Sequence, residues 1–248
     1  MHAHARALVG DKCDASLSKT PLGEDTFHVR DLDDNLFQIL PSDHWFSNSG
    51  HTSGGVMGGV VGVTDMEASF KLYKDILKYD KVLLDETGTF EDWAGLPGGD
   101  QTCRRVILVP SNPGTGGFAA LMGPTRIELV QAMDRKGRFL FEDRIWADTG
   151  IVHLGFDIRG MKPLGKALDK EGFGFRCDSN EALNMGDHTR VHCTYIDDPD
   201  EAWIEMIEVH KIPILEKLGL FLDVQKRPAS QPLPKWMLHA LRFNRIKD

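Results

Sequence analysis

The sequence predicts an α+β fold built from two successive modules of one order: strand, helix, strand, strand, strand. Three observations carry this expectation. Short alternating apolar runs recur between glycine- and proline-containing loops, and a stripe of helical period follows the first strand of each set. The same order appears over residues 55–132 and again over residues 150–210.

In the first module, GGVVGVT (58–64) reads as a buried strand. DMEASFKLYKDILKYD then places Met66, Phe70, Tyr73, Ile76 and Leu77 on one helical face, with Asp65 at the N-cap. KVLLDE, RRVILVP and RIELVQ supply the remaining strands. In the second module GIVHLGFDI is the strand and MKPLGKALDKEGF the helix, ended by Gly172; FGFRC, TRVHCTY and AWIEMIEV follow as strands. A third echo lies upstream. DLDDNLFQIL (31–40) aligns with DPDEAWIEMI (198–207), matching Asp31 to Asp198, Asp33 to Asp200 and Gln38 to Glu205, so residues 1–50 read as the end of a further module. Whether it pairs within the chain, pairs with a partner or is left from a longer four-unit ancestor stays open at this point.

A chain of 248 residues with 41% hydrophobic content buries a substantial core, as one large domain or two smaller ones. No run reaches the roughly 18 apolar residues of a membrane span, and MHAHARALVGDKCD lacks the apolar stretch of a signal peptide, so the expected place is the cytoplasm, away from membranes. Cys13, Cys103, Cys177 and Cys193 are widely spaced, which suits a reducing compartment and excludes a cysteine-only zinc site. The net charge of −8 argues against a nucleic-acid partner, although residues 226–248 carry +5. In that basic extension (211–248), Trp236, Met237, Ala240, Leu241 and Phe243 have helical spacing, as of a short helix docked on the acidic body of its own or a neighbouring chain; a homodimer is left open.

GVTDMEASFKLYKDILKYD is similar to the opening strand and helix of the vicinal oxygen chelate superfamily, and YIDDPDEAWIEMIE is similar to its closing hairpin. That superfamily includes glyoxalase I, methylmalonyl-CoA epimerase, extradiol dioxygenases and bleomycin or fosfomycin resistance proteins. The resemblance covers roughly residues 55–210. It implies paired βαβββ modules forming a half-open barrel, the glyoxalase/bleomycin resistance/dioxygenase fold, with a metal inside.

By this resemblance, metal ligands fall on the first and last strands of both modules: Glu128 in RIELVQ, His153 in IVHLGFDI and Glu205 in IEMIE. Imidazole and carboxylate suit a divalent zinc, nickel, iron, manganese or cobalt ion. Strand alternation puts Glu205 on one face with Trp203 and Ile207 and Glu208 on the other. Position 58, where the family has His or Gln, is Gly58. The fourth ligand is then water, His51, or a residue from the N-terminal segment or another chain; otherwise no metal is held. His2, His4, His28, His44, His210 and His239 gain no such support and are read as surface residues.

An open divalent site polarises a carbonyl while a neighbouring carboxylate moves the adjacent proton. The resemblance therefore implies a metal-dependent lyase or isomerase of the glyoxalase type acting on a small oxygen-chelating substrate, with Glu128 or Glu205 as both ligand and base and Glu205 the favoured one. Extradiol dioxygenases are the alternative: Tyr195 stands where they place a tyrosine that hydrogen-bonds the catechol, while His192 faces the other way. A metal-free ligand-binding protein of the same fold is the third reading, kept open by Gly58. GTGGFA (114–119), with Asp134 beyond it, fits a dinucleotide-binding fingerprint, but too few residues separate it from RIELVQ for a crossover helix, so it reads as a loop and candidate flap. The turn acids Asp197, Asp198, Asp200 and Glu201 are expected to cap amides and stay solvated.

Overall fold

The computed structural model describes residues 1–47, 50–112, 114, 116–180, 183–184, 189–215, 219–228 and 231–240. An N-terminal segment comprises α1 (His2–Val9), β1 (Ser18–Lys19), β2 (Asp25–Arg30) and β3 (Leu36–Ile39). The first repeated unit follows as β4 (Gly58–Gly62), α2 (Met66–Phe70), β5 (Lys81–Gly88), β6 (Cys103–Val109), the one-turn α3 (Ala119–Met122) and β7 (Arg126–Ala132). The second contains β8 (His153–Asp157), α4 (Met161–Lys170), β9 (Cys177–Asp178), β10 (Leu183–Asn184), β11 (Arg190–Asp197) and β12 (Trp203–Leu215), after which β13 (Leu220–Asp223) and α5 (Lys235–Ala240) close the described chain.

Both units have the same strand order. β4 pairs parallel with β7, which continues antiparallel to β6 and then β5. β8 pairs parallel with β12, which continues antiparallel to β11, with β9 and β10 on its far edge. The helix after the first strand crosses the sheet and lets that strand return parallel to the fourth. Among the described residues the sheets stay separate and no hydrogen-bonded ladder closes a barrel. No described helix is long and apolar enough to cross a membrane.

Asp65 caps α2 as its position predicts, accepting from Glu67 N–H and Ala68 N–H at 3.0 Å each. The next turns widen to i→i+5 bonding, with Leu77 N–H on Leu72 C=O at 2.9 Å. That widening turns Leu72 into the core beside Tyr73, although Leu72 is off the predicted apolar face. FGFRC contributes only a two-residue strand, and β12 runs five residues past His210 to pair with β13. Leu241 and Phe243 of the expected C-terminal helix lie outside the described residues.

One apolar cluster joins the units. Val106, Leu108, Ile127 and Leu129 pack under α2, and Ile204 and Met206 pack under α4 in the same cluster. The turn of the second unit is clamped by the first: Tyr73 Oη donates to Asp198 at 2.9 Å, and Thr64 N–H donates to Asp200 at 2.9 Å. Asp198 and Asp200 are therefore buried, at 4% and 5% exposure, which corrects their expected solvation. Asp198 does cap Asp200 and Ala202 N–H as a turn acid should. Their second partners come from across the interface, which turn chemistry alone does not reveal.

The N-terminal hairpin repeats the same turn. Asp31 accepts from Asp33 and Asn35 N–H, and His28 pairs with Gln38 in the register in which Tyr195 pairs with Glu205. Arg126 reaches Glu24 at 2.9 Å and Gln38 reaches Asp92 at 3.4 Å, so the hairpin lies against the first sheet on the face away from α2. A hollow of about 330 Å³ remains between them, lined by Arg30, Trp93, Leu96 and Arg135 among others.

The GTGGFA segment leads into one helical turn, α3, too short for a crossover. It is tied down: Phe118 N–H donates to Asp157 at 2.6 Å, and Leu233 N–H to Gly117 C=O at 2.9 Å. Burial pushes the Asp157 carboxyl up to about 6, against the Phe118 and Gly117 amides and Arg159, which pull it down. A folded-state value above the unfolded one means stability present at low pH and lost as pH rises from about 4 through about 6, by roughly 3 kcal/mol. Asp157→Asn removes that loss. Urea unfolding at pH 4 and pH 8 should show the variant gaining stability over the parent chain only at the higher pH.

Candidate functional site

Tyr195 and Glu205 are directly opposed across β11 and β12, and Glu205 lies beside Gly155 of β8 two residues after His153. All three side chains emerge on the face away from α4, because Ile204 and Met206 take the α4 side. They meet there. Tyr195 Oη donates to Glu205 Oε1 at 2.6 Å, His153 Nε2 lies 3.1 Å from Oε2, and Cys193 Sγ donates to Oε1 at 3.2 Å. The Glu205 and His153 side chains keep 18% and 24% exposure, so a ligand has access to both.

Burial and then the Glu205 carboxylate raise both neighbouring acids. Cys193 is pushed up to about 12, and Tyr195 rises well above the usual phenol range. Both groups thus keep their protons at neutral pH and act as donors. The rest of the site is aromatic. Trp146, from the segment joining the two units, stacks on His153 with 5.4 Å between ring centroids and on Trp203 at 4.9 Å, and meets Tyr195 edge-on.

Glu128 lies elsewhere. It is 2% exposed on the face of the first sheet away from α2, where Arg105 Nε donates to it at 2.6 Å. The same guanidinium donates to Asp92 at 2.7 Å and lies 4.0 Å from the Trp93 ring centroid. Burial holds the Glu128 carboxyl above the usual range despite Arg105. Glu128 is thus one arm of a buried ion triad, and its expected place beside His153 and Glu205 is not what the structure brings together. Gly58 settles the fourth position physically: a Cβ there would overlap the Arg126 carbonyl, so no ligating side chain fits.

The strand order decides the architecture. In each unit the first strand lies parallel to the fourth, and the third and second follow, as in the paired βαβββ modules that the resemblance implies. The chain has the vicinal oxygen chelate fold. Solved structures are similar to it at low identity. A glyoxalase family protein from Bacillus cereus is 12% identical, with a TM-score of 0.47 over 66% of this chain and 99% of that one. A glyoxylase/bleomycin resistance protein/dioxygenase domain from Frankia sp. is 22% identical, with a TM-score of 0.43 over 64% and 99%. The trypanothione-dependent glyoxalase I of Leishmania major is 18% identical, with a TM-score of 0.37 over 63% and 87%. No protein-family model and no curated protein matches the chain.

A divalent ion does not fit the implied ligand set. Two of its four positions converge, one is committed to Arg105, and one has no side chain. His153 Nδ1 is moreover buried with no partner among the described residues. A metal on Nε2 would force the ring proton onto Nδ1, leaving a buried N–H unpaired, whereas ligating histidines give that proton to an acceptor. With the proton on Nε2, facing Glu205, only a bare acceptor is orphaned.

Cys193 and Trp146 were not singled out from the sequence. Cys193 had a signal, two residues before Tyr195 on the same strand face. Trp146 had none, since nothing in the 133–152 segment predicts its return to the sheet.

Proposed function

We propose that the second module binds a small molecule with neighbouring oxygen atoms and moves a proton on the carbon beside its carbonyl, an isomerase-type reaction of the glyoxalase class run without a metal on Glu205. The observation that carries this reading is one carboxylate flanked by a phenol at 2.6 Å and an imidazole at 3.1 Å. A substrate carbonyl entering between them takes over the Tyr195 hydrogen bond. Glu205, relieved of a donor, accepts the proton from the adjacent carbon while Tyr195 and His153 hold the charge growing on oxygen. Glu205 then returns the proton to the former carbonyl carbon, while Tyr195 gives its proton to the oxygen on that carbon and takes up the one the substrate hydroxyl releases. Cys193 keeps the second donor position on Glu205 and fixes its orientation.

A metal-free binding protein is the second reading, favoured by the indole of Trp146 lying flat over His153 and Trp203, where a planar ligand would sit. The extradiol reading loses support, since it asks for two imidazoles and a carboxylate on this face and, among the described residues, only His153 and Glu205 meet there. Small hydroxyketones and 1,2-diketones, incubated with the chain in deuterated water and followed by NMR, separate the two. Enzyme-dependent deuterium at the carbon beside the carbonyl supports proton transfer; quenching of tryptophan fluorescence by the same compounds, lost in Trp146→Phe, without exchange supports binding alone.

A further inference from the structure

On the opposite face of β11 and β12, the α4 side, three further side chains converge. His192 and Glu208 are a directly opposed cross-strand pair, and His210 follows two residues after Glu208 on the same face. Their ligand atoms all lie within 4.8 Å of one another, the one such group among the described residues. His192 and His210 are 5% and 6% exposed. We propose that His192, Glu208 and His210 form a binding site for a divalent transition-metal ion, separate from the Glu205 site and independent of the function proposed for it.

Each part of the group suits an ion. Glu208 Oε1 is taken by Gly160 N–H at 2.6 Å, but Oε2 has only long contacts, 3.3 Å from Met161 N and 3.2 Å from His210 Nε2. That oxygen and that nitrogen face each other across the space an ion would fill. Behind His192, Asp178 Oδ1 lies 2.6 Å from Nε2. With Nε2 given to this carboxylate, Nδ1 is the nitrogen left to ligate, the carboxylate–imidazole–metal arrangement that His153 lacks. The amides of Gly160 and Met161 hold the Glu208 carboxyl in place from the start of α4, so that it faces His210. Two imidazoles and one carboxylate favour zinc, cobalt or nickel over magnesium or calcium, and leave one position for water.

The test uses the full chain, without an affinity tag, stripped with chelator and titrated with zinc or cobalt chloride by calorimetry. One tight equivalent per chain is expected, with visible cobalt absorption and a thermal midpoint that rises with metal concentration. His192→Ala and His210→Ala should each weaken binding at least about 100-fold, and Asp178→Asn, at the half-exposed outer position, about 10–100-fold. Glu205→Gln should leave it unchanged. If the histidine variants fail to fold, Asp178→Asn and the metal-dependent midpoint of the parent chain still decide. Absence of a tight equivalent, full affinity in the histidine or Asp178 variants, or loss of affinity in Glu205→Gln overturns the assignment.

Discussion

Replacing Arg105 with alanine lowers the stability of the chain by about 3–5 kcal/mol. Arg105 is wholly buried, and its guanidinium answers two carboxylates, Asp92 and Glu128, that have almost no access to water. Removing the cation leaves two like charges facing each other in a low-dielectric interior, so both carboxyls must take up protons or the sheet must open. Arg105→Lys should recover only part of the loss, because an ammonium cannot present the fork that reaches both acids and packs on Trp93. Replacing all three members with apolar residues of similar size should recover most of it. Chemical denaturation followed by circular dichroism measures each variant. An Arg105→Ala chain as stable as the parent would return Glu128 to consideration as a free carboxylate.

Replacing Glu205 with glutamine slows proton exchange on a bound substrate by about 10²–10⁴-fold. Glutamine keeps the shape and an acceptor for Tyr195, so binding and fold should survive while the base is lost. Tyr195→Phe should cost less, since His153 still faces the carbonyl oxygen. The contrast matters because an architectural Glu205 would lose stability in both variants and show no selective effect on exchange. Substrate binding by fluorescence, measured beside exchange, separates the two outcomes.

Alternation and repetition carried the sequence a long way. Period-two strands placed Glu205 opposite to Glu208, and the repeat aligned Gln38 with Glu205; the structure gives both hairpins the same register. His153, Tyr195 and Glu205 converge because all three positions depend on local geometry: two neighbouring strands and one parallel pairing. Glu128 does not join them: its neighbour Arg105, read only as part of an apolar strand, holds it in a buried triad with Asp92. The signal existed, since Arg105 shares a face with Ile107, which is opposite Glu128. The burial of Asp198 and Asp200 was illegible because Tyr73 and Thr64 reach them from more than a hundred residues away. The pairing of His192 with Glu208 and His210 was legible in part. Both His192 and Glu208 read as facing away from the site, and residues that share the other face of adjoining strands meet there.

In the proposed reaction Glu205 works with Tyr195 and His153 as a proton-transfer site and not as a metal ligand beside Glu128. Deuterium exchange, measured on one preparation before and after divalent ions are removed by chelator, tests it most directly. Exchange should continue undiminished in the stripped protein, with circular dichroism confirming that the fold persists. Exchange that disappears on chelation from a still-folded chain and returns with added metal would contradict it.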